Sequence, residues 1–206
     1  MFFTQRECRG ALIHLRHRAT LMKFLAISGS LRAASINSSL LRVASRLAQD
    51  DLTIDLFAGL GRLPLFNPDL EAQLPAAVLE LHRAVAASDA LLIASPEYAH
   101  GVSGSMKNAL DWLVSFEPFV GKHFAVINTS PRARHADAAL RETLRTMSAA
   151  IVEEASISLP LLGANLDEAA IAADPRIAAA LSGALRALRN AVESARPLDE
   201  PAFPVP

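Results

Sequence analysis

Lys23-Phe24-Leu25-Ala26-Ile27-Ser28-Gly29-Ser30-Leu31-Arg32-Ala33-Ala34-Ser35-Ile36-Asn37-Ser38 is the stretch on which the fold turns. It opens with a short apolar run, Lys23 to Ser28, that ends at Gly-Ser, the pattern of a strand buried on both faces. A loop dense in hydroxyl and amide side chains follows. From Ser35 to Gln49 the apolar residues Ile36, Leu40, Val43, Ala44 and Leu47 recur at helical spacing. A buried strand that passes straight into a helix predicts a parallel sheet, because parallel strands need a crossover of that length.

The alternation continues downstream. Leu52 to Phe57 reads as a strand, and a loop containing Leu63-Pro64-Leu65-Phe66-Asn67-Pro68-Asp69 separates it from a helix over Pro75 to Ser88. Proline suits a first helical turn, where its missing N–H is no loss. Asp89 to Ser95 is a fully apolar strand, Ser105 to Phe116 a helix and Lys122 to Asn128 a strand. Ala136 to Ala150 reads as a helix, Ile151 to Leu159 as a fifth strand and Pro175 to Ser194 as a last helix. Five strands alternating with helices predict one α/β domain, a sheet covered on both faces.

The ends differ from this body. Residues 1–21 carry Arg6, Arg9, Arg16 and Arg18 with Glu7 as the only acid, and these charges interrupt any apolar core of a secretory signal. They read as a flexible extension ahead of a domain over 22–196, or as an arginine-rich transit-like segment. The proline-rich stretch 197–206 reads as an extended tail. Cys8 is the one cysteine, so no internal disulfide is available and a reducing, cytoplasmic setting fits.

The 206 residues carry a formal net charge of -1, which gives nucleic acid or an anionic membrane nothing to steer toward. The same balance counts against a small electron carrier that relies on a strong field. No uninterrupted apolar run reaches the roughly 18 residues of a spanning helix. His14 and His17 lie in the extension and His82 in a helical stretch. His100, His123 and His135 show no paired spacing of a metal site, and no nucleophile elbow is present.

In an open α/β sheet the ligand sits beyond the carboxyl ends of the strands. The loop after the first strand supplies a helix N-terminus with Ser30, Arg32, Ser35 and Asn37, a set suited to a phosphomonoester. Ser35 or Asn37 serves equally well as a helix cap. The sequence has neither the Gly-Lys-Ser/Thr end of a Walker loop nor a dinucleotide fingerprint. The loop after the third strand runs Pro96-Glu97-Tyr98-Ala99-His100-Gly101-Val102-Ser103-Gly104. Tyr98, the only tyrosine, either offers an aromatic face to a flat ligand or covers the sheet end. Trp112 reads as core or subunit contact, and Lys107 with Asp111 as a surface pair four residues apart.

Gly29-Ser30-Leu31-Arg32 with Ser35 and Asn37 resembles the phosphate loop of the NADPH-dependent FMN reductase family. Pro96-Glu97-Tyr98, then Gly104 and Lys107-Asn108-Ala109-Leu110-Asp111-Trp112, resembles that family's isoalloxazine loop and following helix. The resemblance implies a flavodoxin-like three-layer sandwich with a five-stranded parallel sheet in the order 2-1-3-4-5. It implies FMN, with NADPH or NADH as reductant, and a homodimer or homotetramer with the flavin near a subunit boundary. The implied reaction passes two electrons to a small acceptor: a quinone, free flavin, an azo compound or a metal oxyanion. A non-catalytic electron carrier or flavin-dependent interaction module is the alternative. Carried over, Ser30, Arg32, Ser35, Asn37 and Ser38 would hold the phosphate, and Pro96, Glu97 and Tyr98 would line the ring with His100 and Gly101 beside it. The stretch Asn128-Thr129-Ser130-Pro131-Arg132-Ala133-Arg134-His135 departs from the family's glycine-rich pattern. Thr129 and Ser130 would still meet the pyrimidine edge of the flavin, and Arg132 or Arg134 a nicotinamide phosphate. No side chain is singled out as catalytic, and no metal ligand is expected.

Overall fold

The computed structural model describes residues 21–48, 51–130, 132–161, 163 and 166–196. The expected extension, Leu21 apart, and the proline-rich tail lie outside them. The chain runs β1 (Met22–Ser28), α1 (Ile36–Leu47), β2 (Leu52–Leu56), α2 (Ala76–Ala86), β3 (Ala90–Ala94), β4 (Glu97–Tyr98) and β5 (Gly101–Val102). It continues with α3 (Gly104–Asp111), β6 (His123–Val126), α4 (Arg134–Thr146), β7 (Ala150–Ile151), α5 (Glu168–Ala173) and α6 (Pro175–Ala195).

The main sheet has five strands in the order β2-β1-β3-β6-β7, every neighbouring pair parallel. Counted along this sheet alone it is the expected 2-1-3-4-5 arrangement, because β4 and β5 form a separate antiparallel hairpin. The order reverses between β1 and β3, which places the ligand crevice at their carboxyl ends.

Strand β3 shows why the apolar runs were legible. All five of its residues are buried. Ala90, Leu92 and Ala94 face the core under α1, α5 and α6, while Leu91 and Ile93 face the core under α2, α3 and α4. Burying a leucine or isoleucine fully contributes about 1.5–3 kcal/mol, and both faces of this strand do so.

The fifth strand is much shorter than the Ile151 to Leu159 expected. After Val152 the chain enters a 3-10 turn at Glu153–Ala155, with both glutamates exposed. Ser156 replaces the missing ladder: its Oγ accepts from Val126 N at 3.1 Å and donates to Val152 O at 2.9 Å. The strand path resumes only as a single parallel bridge between Asn128 and Ser158. Glu153 is held by Arg141 and Arg145, so these arginines anchor the turn to α4. Helix α5 was not expected; Asp167 caps it, and Glu168 pairs with Arg42 and Arg46 of α1. Among the described residues no helix is long and apolar enough to cross a membrane.

Candidate functional site

Three loops meet beyond the carboxyl ends of β1, β3 and β6. The first leaves β1 at Gly29, whose N–H donates to Ala94 O at 2.8 Å. The carbonyl of Gly29 accepts from Ser103 Oγ at 2.6 Å and from Ser105 Oγ at 2.9 Å. Ser103 also caps α3, accepting from Met106 N. A Cβ on Gly29 would stand 2.4 Å from Ser95 Oγ and 2.9 Å from Ser103 Oγ. Glycine is therefore needed here for close approach of two loops.

The first loop ends at Ser35, the N-cap of α1, whose Oγ accepts from Ser38 N at 3.4 Å. The N–H groups of Ile36 and Asn37 meet no acceptor among the described residues, so the positive end of α1 stays open. Ser38 Oγ donates to Ser28 Oγ at 2.8 Å, and Ser30 N donates to the same oxygen at 3.3 Å. Arg32 is exposed and, among the described residues, forms no ion pair. A groove of about 480 Å³ opens beside this loop, lined in part by Ser28, Ser30, Arg32, Ser38, Arg42 and Phe57. Unpaired N–H groups, hydroxyls and a free guanidinium are what a phosphate dianion requires. These residues fit the FMN phosphate.

Asn37 stands apart from that set. It is buried, and its Oδ1 accepts from Thr129 Oγ1 at 2.7 Å. This bond ties the first loop to the third. Thr129 is buried with it, so the hydroxyl expected at the pyrimidine edge is already engaged.

The second loop is the β4–β5 hairpin. Its two turn residues, Ala99 and His100, have φ of 49° and 61°, a left-handed pair that Asn-Gly ordinarily fills. Such positions cost about 1–3 kcal/mol each and persist where the surroundings enforce them. Tyr98 is 54% exposed, an uncovered aromatic side chain on this hairpin. Glu97, expected along the ring, turns instead to α4. Its Oε2 accepts from Ala136 N at 2.9 Å and its Oε1 lies 3.1 Å from His100 Nδ1. The residue preceding α4, Ala133, has no capping side chain, and Glu97 fills that role from another element.

The Ala136 N–H, and secondarily His100, hold the Glu97 carboxyl below its ordinary pKa. A depressed carboxylate pKa stabilises the fold above the unfolded value, about 4.3, and that contribution disappears as pH falls through the folded value. Glu97→Gln mimics the protonated acid. Its urea midpoint should lie below that of wild type at pH 7 and converge with it toward pH 3; a constant gap across that range would refute the charged cap.

The third loop does without glycine by using Asn128. The Asn128 Oδ1 accepts from Ser130 N at 2.9 Å and its Nδ2 donates to Ala133 O at 3.2 Å. Ser130 Oγ accepts from Arg132 N, and Arg132 and Arg134 are exposed at the start of α4. Sequence reading missed Asn128, Ser28, Ser103 and Ser105, all of which shape these loops. Asx-turn chemistry was the available signal for Asn128; the serines meet Gly29 only in three dimensions. Trp112 is core, and Lys107 pairs with Asp111 on the surface.

The family described as NADPH-dependent FMN reductase matches residues 22–161. An NAD(P)H-dependent FMN reductase of Pseudomonas aeruginosa is 41% identical over 112 residues, which are 53% of this chain and 60% of the relative. A 2-hydroxy-1,4-benzoquinone reductase of a Burkholderia species is 36% identical over 112 residues, 53% of this chain and 61% of the relative. The chain thus spans about three fifths of the length of these curated relatives. Among solved structures, the FerB flavoenzyme NAD(P)H:(acceptor) oxidoreductase of Paracoccus denitrificans superposes with a TM-score of 0.71 at 31% identity. That match covers 84% of this chain and 98% of FerB. The resemblance read from the two loops is correct. The chain belongs to the NADPH-dependent FMN reductase family.

Proposed function

We propose that this protein is an NAD(P)H-dependent flavin oxidoreductase that passes two electrons through FMN to a small acceptor, with a quinone as the favoured class. The observation that carries the reading is the convergence at Gly29. The loop that leads to the open end of α1, with Ser30, Arg32 and Ser38, is tied at Gly29 to Ser103 and Ser105, which follow directly on the hairpin bearing Tyr98. One loop offers a phosphate site and the other an exposed aromatic platform. The curated relatives named as FMN and quinone reductases support the acceptor class.

Bound FMN supplies the redox chemistry, taking hydride from the nicotinamide and passing two electrons on. The chain's residues do the rest. Arg32 and the Ile36 and Asn37 N–H groups would neutralise the phosphate, and the hairpin would hold the ring at the crevice mouth. Arg132 and Arg134 would meet the phosphates of the nicotinamide. The reading includes a cytoplasmic homodimer or homotetramer, for which exposed Leu65, Leu70 and Val114 provide apolar surface. It also includes residues 22–196 as one flavin-binding domain.

The test is anaerobic addition of NADPH or NADH to protein mixed with FMN, with flavin absorbance as the readout. Bleaching, followed by recovery on adding a quinone, is the expected result. Flavin that binds without bleaching would favour the non-catalytic carrier or interaction module. Failure to bind FMN would remove both readings.

A further inference from the structure

We propose that His100 is a proton carrier for the acceptor, exchanging its proton at Nε2 while Glu97 fixes Nδ1; this rests on the reductase reading above. The arrangement is built from three elements. Glu97 of β4 is held at both carboxylate oxygens, by Ala136 N at 2.9 Å and by His100 Nδ1 at 3.1 Å. The left-handed backbone at Ala99 and His100, closed by the Tyr98–Gly101 pair, sets the histidine at the tip of the hairpin that carries Tyr98. From α4, His135 stands edge-on to the His100 ring with centroids 4.4 Å apart.

The charged groups around this ring are few. Glu97 faces it from its own hairpin and His135 faces it from α4. Arg132 lies in the adjoining loop, Arg134 opens α4, and Asp137 in the first turn of that helix is engaged by Arg141. The His100 side chain is 76% exposed. Water therefore reaches Nε2, while Nδ1 is committed to the carboxylate. The hydrogen bond at one ring nitrogen determines what the other can do. With Nδ1–H donated to Glu97, a neutral ring carries a lone pair on Nε2 and a protonated ring carries a second N–H there. One proton thus switches Nε2 between acceptor and donor without moving the ring.

Reduction of a quinone to a hydroquinone needs two electrons and two protons. Hydride delivery provides both electrons and one hydrogen, leaving a phenolate oxygen. His100 supplies the other proton: its Nε2–H bond breaks, an O–H bond forms on the phenolate, and water returns a proton to Nε2. Glu97 is a positioning residue in this scheme, acting through the imidazole.

Two measurements decide it. In the protein without FMN, imidazole 15N shifts assigned by comparison with His100→Gln should show neutral His100 as the Nδ1–H tautomer. A predominant Nε2–H tautomer would overturn the proposal. In the FMN-loaded protein, reoxidation by a quinone is compared with reoxidation by ferricyanide, which takes electrons without a proton. General acid catalysis is worth roughly 10²–10⁴-fold where it operates, so in His100→Gln the quinone-to-ferricyanide rate ratio should fall at least about tenfold and lose its dependence on pH. A displaced flavin would slow both acceptors and leave the ratio alone. An unchanged ratio with normal flavin reduction removes the His100 role only, whereas wild type that binds no FMN removes the reductase reading and this proposal together.

Discussion

Gly29→Ala should destabilise the fold by about 1–3 kcal/mol, the usual cost of forcing extra volume into a packed contact. FMN affinity should fall by about tenfold or more, equivalent to about 1.4 kcal/mol per factor of ten. The new methyl would lie 2.4 Å from Ser95 Oγ and 2.8 Å from Ser95 Cβ, with Ser103 Oγ at 2.9 Å on its other side. A long flexible side chain could swing away, but Ser95 and Ser103 have one rotatable bond each. Ser103 is doubly committed, to Gly29 O and to Met106 N. Relief therefore requires the first loop to move away from the second, which separates the phosphate site from the aromatic platform. Ser95→Gly removes the two nearest atoms and should return part of both losses when combined with Gly29→Ala. Urea midpoints and FMN titrations of the two single variants and the double variant read this directly. A Gly29→Ala protein with wild-type stability and FMN affinity would show that the loops need not touch.

The same contact shows what could and could not be read in the sequence. The apolar runs of β1, β3 and β6 are legible because a strand buried on both faces leaves no choice of residue. The two ligand loops are legible because they interrupt those runs with hydroxyls, amides and an aromatic. Their internal bonds are not, since they join residues far apart in the chain. Asn37 pairs with Thr129 across 92 positions, and Ser103 meets the Gly29 carbonyl across 74. For the same reason Glu97 reads as a ring neighbour, while the structure uses it to cap α4, 39 residues onward. The fifth strand fails for a local reason. Its apolar pattern is broken by Glu153 and Glu154, and two arginines of α4 hold Glu153 in a turn.

Ser35 and Asn37 illustrate a further limit of residue-type reasoning. A serine that caps a helix and a serine that binds phosphate at the same terminus offer the same hydroxyl. Here Ser35 is buried and capping, so its loss would cost roughly 1 kcal/mol of stability whether or not it touches a ligand. Arg32, exposed and outside any ion pair among the described residues, separates binding from folding far better.

Trp112 is where the largest stability effect is expected. Trp112→Ala should cost about 3–5 kcal/mol, as large-to-small changes of buried aromatics do, and lower Tm by roughly 10 °C or more in a chain of this size. The residue is 1% exposed and packs edge-on against Phe66 with ring centroids 5.0 Å apart. Its Nε1 donates to Pro64 O at 2.8 Å, and Asn108 Nδ2 donates to the same carbonyl at 2.9 Å. Asn108 Oδ1 accepts in turn from Phe66 N at 2.8 Å. The two residues, four apart and so neighbours along α3, pin the loop after β2 by its backbone and leave Leu65 projecting with 83% exposure. Trp112→Phe keeps most of the packing but removes the indole N–H. Because Asn108 still satisfies the Pro64 carbonyl, that change should cost only about 1 kcal/mol, near the net value of one hydrogen bond. FMN affinity should change little in Trp112→Phe, since the phosphate loop and the β4–β5 hairpin do not bear on the indole. Equal stability losses for the alanine and phenylalanine variants would mean that the hydrogen bond, and not the packing, holds this loop in place.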